Sequence, residues 1–399
     1  MVLKNDTNVS IKMTYEEAMV RAQALVPAII ERAAAAEAQR RLPEDIVQAI
    51  VDAGLVRLLT PARWGGHELG INAYVDSTLE IAKADASVGW CYSFFIMHSC
   101  MLACFSEEAQ RDVWANNPDA LITTSFVPVG RAMPPANGGY VLNGNWPWSS
   151  GVDYSSWCML GGLLPPSGDT PPEPALFLVP RNDYEILDTW FVTGLKASGS
   201  KNVLLKDVFV PEHRMVRLLE IRDGRGPGVA INTGRLYRLP LFTANAPGFV
   251  APIVGATIGA YDTWRKASSK KVTAFTREQV AMFSHSQIRL AEIEAQIQTA
   301  RLFLQDVLDG INSSHSLSLE RRFRYMRDIG YVAKVCVEAV ERIFLASGGS
   351  ANYETHPLQR YWRDIHAMAA HASLNFDASG ENFGRMELGL PHNPHAMIF

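Results

Sequence analysis

Two histidines stand in parts of the chain where proton chemistry is plausible. His98 lies within FFIMHSCMLACF, and His371 follows the arginine-rich stretch PLQRYWRD. Burial on an apolar helix tunes the pKa of an imidazole for proton transfer, but a lone histidine there is also an ordinary hydrogen-bonded core residue. Asp364 precedes His371 by seven residues, which places both on nearly the same helix face, where Asp364 would orient a neighbour or form a salt bridge. The residues alone leave catalytic and structural roles open for both histidines.

A second stretch carries side chains suited to a flat aromatic ligand. In GNWPWSSG, residues 144–151, Trp148 directly precedes Ser149 and Ser150. An indole can cover the face of a flat ring, and hydroxyl groups can bind its polar edge. The same residues also suit a buried turn between strands. The stretch by itself therefore leaves a ligand site and a structural turn as alternatives.

Three shorter motifs add candidates, each with a structural alternative. Thr124 and Ser125 belong to TTSF, which supplies hydroxyls to a site or simply favours a strand. Trp90 ends DASVGW, at the break between two apolar helices, where it also suits the core. Gly348 and Gly349 follow FLAS, so they either end a helix or contact a phosphate or ribityl group through their backbone amides.

Metal and dinucleotide motifs are missing from the sequence. His366 and His371 are five residues apart, about 140° around a helix, so they do not share a metal-binding face. Cys100 and Cys104 share a face near His98, but the further ligands of a thiolate site are absent. No G-x-G-x-x-G follows a strand, and no Walker lysine motif occurs. We therefore expect no metal and no Rossmann-type dinucleotide site.

The order of patterns predicts a mainly α chain with a central β domain. Thr14 and Glu17 form a capping-box pattern, and helical periodicity dominates residues 1–117. Short β-prone runs in residues 118–215 predict a small barrel or sandwich, with PPSGDTPPEP as a surface loop. Residues 216–399 predict an antiparallel bundle of four long amphipathic helices.

Composition excludes several classes of partner. The chain has 399 residues, a formal net charge of -4 and no long basic run, so neither nucleic acid nor an anionic membrane is an expected partner. Five cysteines in apolar surroundings fit a reducing cytoplasm rather than a disulfide framework. The beginning of the chain lacks a signal-peptide core, and no segment has about 18 uninterrupted apolar residues. We expect a cytoplasmic protein that binds a small molecule.

Taken together, five motifs resemble the acyl-CoA dehydrogenase superfamily, and the resemblance extends from about Glu16 to Leu390. The motifs are ASVGW, TTSF, GNWPWSSG, SGG and PLQRYWRD with His371. The closer resemblance is to its flavin-dependent two-component aromatic monooxygenases, to their oxygenase component. This resemblance implies an N-terminal helical domain, a middle β-barrel and a C-terminal four-helix bundle. In the dehydrogenases a glutamate base commonly follows the arginine-aspartate pair by about eight residues. Here that count reaches Ala372, which argues against proton abstraction from a thioester.

The resemblance implies a reaction and its cofactors. Reduced FMN or FAD, supplied by a separate NAD(P)H-dependent reductase, would react with O2 to form a C4a-hydroperoxide, without a metal. That species would hydroxylate or epoxidise a small aromatic substrate of the phenol or indole type. His371, assisted by Ser125, would stabilise the hydroperoxide, and His98 would take the O–H or N–H proton of the substrate. The superfamily also implies a homotetramer.

The resemblance further implies how this chain would hold the flavin between the β domain and the bundle. Trp90 and Trp148 would flank the ring system, and Ser149 or Ser150 would bond near N5. The remaining implied contacts are Thr124, Ser125, Arg238 for the phosphate, Gly348 and Gly349. A hydrophobic substrate cavity would draw on the following aromatic residues: Phe94, Phe95, Trp190, Phe191 and Tyr237.

Two other functions remain open at this point. One is acyl-CoA dehydrogenation or oxidation with tightly bound FAD, which the missing glutamate disfavours. The other is a non-catalytic flavin-binding protein in which His98 and His371 are structural.

Overall fold

A computed structural model describes residues 12–132, 137–166 and 171–393 of the chain. Helices, then a sheet, then helices follow one another along it, in the predicted order. The predicted loop PPSGDTPPEP lies between two adjacent strands, and its residues 167–170 fall outside the described ranges.

The N-terminal region is helical and encloses one entirely buried helix. The predicted capping box is present, because Thr14 and Glu17 each accept a hydrogen bond from the backbone of the other. Asp85 occupies the predicted break between two helices, where its Oδ1 accepts from the Val88 backbone N–H at 3.0 Å. Every side chain of the following helix is buried. The helices are α1 (Tyr15–Gln39), α2 (Glu44–Asp52), α3 (Ile71–Ala84), α4 (Ala86–Leu102) and α5 (Glu107–Trp114).

The central region is a single mixed sheet of seven strands in the order β5-β6-β2-β1-β3-β4-β7. Only β1 and β3 pair in parallel; the other neighbours are antiparallel. Side chains alternate between two cores along β3: Cys158 and Leu160 face a core belonging to the sheet, and Met159 faces the helices. The strands are β1 (Ile122–Ala132), β2 (Gly139–Ser149), β3 (Trp157–Leu163), β4 (Pro174–Pro180), β5 (Glu185–Leu187), β6 (Lys201–Pro211) and β7 (Met215–Arg217).

The C-terminal region confirms the bundle but corrects its fourth helix, which is interrupted. His371 lies in the interruption, where its Nδ1 accepts from the Ser373 backbone N–H at 3.2 Å and so caps a short 3-10 turn. Because His371 is not on a helix, the face shared with Asp364 and the angle to His366 inferred from helical spacing do not apply. The helices are α6 (Leu218–Arg222), α7 (Leu241–Ser268), α8 (Ser284–Ser313), α9 (Leu319–Ser347), α10 (Pro357–Ala369) and α11 (Phe376–Glu387).

Helix α7 forms the centre of the bundle and packs on α4 through a buried hydroxyl. Pro252 has no backbone N–H, so it leaves the Gly248 carbonyl without its helical donor. Ser93 of α4 donates to that carbonyl at 2.5 Å, and Tyr74 lies 2.8 Å from the same hydroxyl. Since a carbonyl only accepts, the Ser93 hydrogen points to Gly248 and Tyr74 is the donor in its bond to Ser93. These bonds hold α3, α4 and α7 in register.

Within the described ranges, α7 is also the one helix long and apolar enough to cross a membrane. Of its most apolar window, 89% is buried inside the protein. Core helices of globular proteins meet the same length and hydropathy criteria, so this feature is weak evidence for a membrane span.

Candidate functional site

Five aromatic rings gather where α4, α7 and the turn after α10 meet. Trp90, Phe94 and His98 are four residues apart on α4 and therefore share one face. The ring of Phe94 lies parallel to His98 at 5.5 Å and edge-on to Phe249 of α7 at 5.5 Å. His371 stacks on Phe249 at 5.0 Å and meets Trp90 edge-on at 5.6 Å. The two histidines that the sequence singled out thus belong to one ring cluster, in which His98 is buried and His371 is partly buried.

His98 is held in one neutral tautomer. Its Nδ1 lies 2.8 Å from the Ile122 carbonyl oxygen at the start of β1. A carbonyl only accepts hydrogen bonds, so Nδ1 carries the hydrogen and Nε2 keeps a lone pair. Burial lowers the pKa of His98 to about 4. At neutral pH, Nε2 of His98 is therefore a proton acceptor in an apolar environment.

His371 is held in the opposite tautomer. Its Nδ1 accepts from the Ser373 N–H, so the hydrogen of the neutral ring lies on Nε2. Burial lowers the pKa of this imidazole as well, to about 4. The cluster therefore offers one imidazole as a base and one as a hydrogen-bond donor, and both rings lie against Phe94.

On β1, adjacent hydroxyls point to opposite faces of the sheet. Thr124 pairs with Met159, whose side chain lies in the helical core, and the Thr124 Oγ1 is buried without a partner. Ser125 instead donates to the Pro147 carbonyl at 2.7 Å. Ser125 therefore positions the end of β2, and no described contact joins it to His371. The hydroxyl left free for a ligand is that of Thr124.

The GNWPWSSG stretch ends β2 with one strained and exposed indole. Trp148 has a φ of +65° and is 63% exposed. A positive φ costs a bulky residue roughly 1–2 kcal/mol. The Ser149 hydroxyl points into the sheet, where it donates to Thr123 at 3.1 Å, whereas Ser150 accepts from the Trp90 indole N–H at 3.2 Å. Only Ser150 of the two serines has its side chain at the ring cluster.

Three of the predicted flavin contacts lie on the surface, outside the buried cluster. Arg238 is exposed at the end of a 3-10 turn, and Gly348 and Gly349 are exposed just after α9. Lys271 lies beside these glycines, since its Nζ donates to the Ser347 carbonyl at 2.6 Å. The Lys271 ammonium group would therefore lie close to any anion bound by the backbone amides of Gly348 and Gly349.

The predicted cavity residues are scattered. Phe94 belongs to the ring cluster, and Phe95 packs on Gly151, at a position where a Cβ would lie 2.6 Å from its ring. Phe191 is 70% exposed beneath a guanidinium group. Trp190 donates to the Leu195 carbonyl within its own loop, and Tyr237 donates to the Leu59 carbonyl.

Sequence reasoning missed Phe249 and the serines of the loop before β6. Phe249 is one apolar residue among many on α7, so nothing in the sequence sets it apart. Ser198 and Ser200 flank Gly199 in KASGSKN, and Ser200 lies 2.7 Å from Ser150. Two serines around a glycine are a usable signal, because their hydroxyls point to one place when the glycine turns the chain.

Among the described residues, neither Ala372 nor Asp364 supplies a free carboxylate in place of the missing glutamate. Ala372 begins the 3-10 turn, and Asp364 is committed to the Leu195 backbone N–H at 2.7 Å. Burial and the nearby Asp85 raise the pKa of Asp364 to about 7. Within the described ranges, no three His, Cys, Asp or Glu side chains are grouped as a metal site would require. The absence of a metal stays a prediction.

Comparisons with known proteins find similarity over most of the chain. Residues 15–117 match the family model of the acyl-CoA dehydrogenase N-terminal domain, and residues 247–376 match that of the C-terminal domain. The chain is 37% identical to the flavin-dependent monooxygenase oxygenase subunit HsaA of Rhodococcus jostii, over 94% of this chain and 98% of that one. It is 34% identical to the oxygenase component of an FADH2-dependent resorcinol hydroxylase of Rhizobium sp., over 89% and 90%. The crystal structure of 3-HSA hydroxylase from Rhodococcus sp. superposes with a TM-score of 0.90 at 35% identity, over 97% and 100%.

Proposed function

Because this chain belongs to the family of oxygenase subunits of flavin-dependent monooxygenases, we propose that it hydroxylates a small phenol with reduced flavin and O2. One observation carries this proposal: His98 and His371 are neutral, packed near the same phenylalanine, and held in opposite tautomers. A phenol needs a base to take its O–H proton, and the oxygen atom transferred to its ring needs a hydrogen-bond donor. The pair supplies one of each.

The residues present fit a reduced flavin. The unpartnered Thr124 hydroxyl, the remaining lone pair of Ser150 and the exposed indole of Trp148 would hold its edge and cover its ring. Gly348, Gly349 and Lys271, rather than Arg238 alone, would contact the phosphate. When bound, the reduced flavin supplies the two electrons with which O2 delivers one atom to an arene and the other to water.

His98 is the group that would activate the substrate. Its Nε2 would accept the hydrogen bond of the phenol O–H and take that proton while a ring carbon forms its bond to oxygen, which raises the electron density of the ring as it reacts. The Nδ1–H bond to the Ile122 carbonyl fixes the ring in this role. His371 would donate its Nε2–H to the oxygen being transferred, while Trp90, Phe94 and Phe249 keep water out. A phenol suits this base better than an indole, because its O–H is far more acidic than an indole N–H.

We also propose FAD as the flavin, a separate reductase as its source, a homotetrameric assembly and a cytoplasmic location. A relative named FADH2-dependent supports FAD as the flavin, and the absence of a dinucleotide motif in the sequence supports a separate NAD(P)H-dependent reductase. Exposed apolar side chains on α8 and α9 support a homotetramer: Ile288, Leu302 and Leu345. Five buried, unpaired cysteines support a cytoplasmic location.

The test is oxygen transfer from labelled O2. Purified protein receives chemically reduced FAD, labelled O2 in place of air, and matched pairs of phenols and their methyl ethers. We expect labelled oxygen in products of the phenols and none in products of the ethers, which have no proton for His98 to take. The variant His98→Asn should lower product yield by about 10²-fold or more. Wild-type protein that consumes reduced FAD but oxygenates no phenol contradicts the proposal, as does equal oxygenation of the ethers.

A further inference from the structure

A chain of four hydrogen bonds runs from the ring cluster into the loop before β6. The Trp90 indole Nε1 lies 3.2 Å from the Ser150 hydroxyl, which lies 2.7 Å from that of Ser200. Ser200 in turn lies 2.7 Å from the Ser198 hydroxyl, and Ser198 lies 2.8 Å from the Leu195 carbonyl oxygen. All three serines are buried.

The two ends of this chain determine the direction of every bond. The Leu195 carbonyl only accepts, so the Ser198 hydrogen points to it and Ser198 must accept from Ser200. Ser200 has then used its one hydrogen and must accept from Ser150. An indole N–H only donates, so Ser150 also accepts from Trp90. The Ser150 hydroxyl hydrogen is therefore directed away from the ring cluster. One lone pair of the Ser150 oxygen remains free to accept a further hydrogen bond.

The loop that sets this direction is held against α10 by three contacts. The Leu195 N–H donates to the buried Asp364, and Arg363 donates to the Thr193 carbonyl at 2.5 Å. Gly194 packs so closely on α10 that a Cβ would lie 2.2 Å from the Arg363 carbonyl oxygen. Gly199, with a φ of +54°, turns the chain between the two serines that meet. Their hydroxyls thus have little freedom to rearrange.

We propose that Ser198 and Ser200 are positioning residues that hold Ser150 as an obligate hydrogen-bond acceptor, so that the site selects the dihydro form of the flavin. This inference rests on the proposed function, in which Ser150 bonds near N5. In reduced flavin N5 carries a hydrogen and donates, whereas in oxidised flavin N5 has a lone pair and needs a donor. A Ser150 oxygen that can only accept is matched to the N5–H of reduced flavin, and it leaves the N5 lone pair of oxidised flavin without a donor.

The test is a comparison of two dissociation constants in the absence of turnover. Anaerobic ultrafiltration of the full chain with oxidised FAD, and with dithionite-reduced FAD, yields the ratio of the oxidised to the reduced Kd. Wild type should bind the reduced form more tightly. Ser200→Ala frees the Ser150 hydrogen to turn toward the flavin, and the ratio should fall about fivefold, the value of one net hydrogen bond. Ser198→Ala should lower the ratio in the same direction.

Two further variants separate positioning from general damage. Ser155→Ala removes another buried hydroxyl, which bonds Thr123 and Tyr184 and takes no part in the hydrogen bonds from Trp90 to Leu195. This change should leave the Kd ratio unchanged. Ser200→Thr keeps the hydroxyl and should restore the ratio. Melting temperatures establish that each variant is folded, and Ser198→Ala decides the question if Ser200→Ala does not fold.

Each outcome has a distinct meaning. An unchanged ratio in folded Ser200→Ala or Ser198→Ala overturns the positioning role, as does an equal fall in Ser155→Ala. A wild-type protein that binds neither form of FAD or FMN overturns the proposed function itself. Reduced-flavin preference in wild type that survives both alanine changes leaves the proposed function standing and removes only this inference.

Discussion

The neutral state of His98 makes a quantitative prediction about acid stability. His98→Asn replaces the imidazole with a side chain that does not titrate. The asparagine amide nitrogen occupies nearly the place of Nδ1, so it can still donate to the Ile122 carbonyl. The change therefore removes the titration while keeping the hydrogen bond that anchors α4 to β1.

The expected magnitude follows from the two pKa values. The ordinary histidine value is 6.5, and burial lowers the pKa of folded His98 to about 4. Because the folded pKa is below the unfolded one, the unfolded chain binds more protons between these values, and stability is lost as the pH falls from 6.5 toward 4. Between pH 7 and pH 5 this loss is roughly 2 kcal/mol for one histidine.

Urea unfolding at pH 7, 6 and 5 measures this loss as a difference between two proteins. The variant should gain roughly 2 kcal/mol relative to wild type on going from pH 7 to pH 5. Asp364 has a raised pKa, so its contribution to stability increases as the pH falls over this range. Because Asp364 is present in both proteins, this contribution cancels in the difference. Parallel pH curves for the two proteins refute the reasoning, because they mean that His98 is charged and solvated in the folded state.

Three other variants test particular contacts. His371→Asn replaces the capping Nδ1 with a side-chain oxygen that can also accept from the Ser373 N–H, so the melting temperature at pH 7 should hold, while hydrogen peroxide released per reduced flavin consumed should rise at the expense of hydroxylated phenol. Ser93→Ala leaves the Gly248 carbonyl buried without a donor and should cost about 1–3 kcal/mol in urea unfolding. The matched change Ser99→Ala should cost less, since that hydroxyl bonds a carbonyl within its own helix; equal costs contradict the assignment. Gly151→Ala, with a φ of +73° and a ring 2.6 Å from the new Cβ, should lower the melting temperature and weaken reduced-FAD binding; an unchanged protein contradicts the packing.

Local patterns were sufficient for the order of elements but not for the interruption after α10. Capping at Thr14, the break at Asp85 and the β-prone runs each depend on neighbours in sequence, and each is present in the structure. Between Pro357 and Gly380 the sequence has no proline or glycine to end the helix, so periodicity alone predicts one continuous element. A backbone N–H of Ser373 taken by His371 ends it instead.

What the sequence by itself determined is which residue types are available: two histidines in apolar stretches, an indole before two serines, and an alanine where a carboxylate base would stand. The tertiary structure alone decided what each of them can do. It brought Phe249 to His371, turned Ser149 into the sheet and Ser150 toward Trp90, and gave the two imidazoles opposite tautomers. The reason is that a hydrogen bond has a donor and an acceptor, and the partners that assign these roles to His98, Ser149 and Ser150 come from segments far apart in the chain. The partner of His371, Ser373, is near in sequence, but it is in place only because the helix is interrupted there.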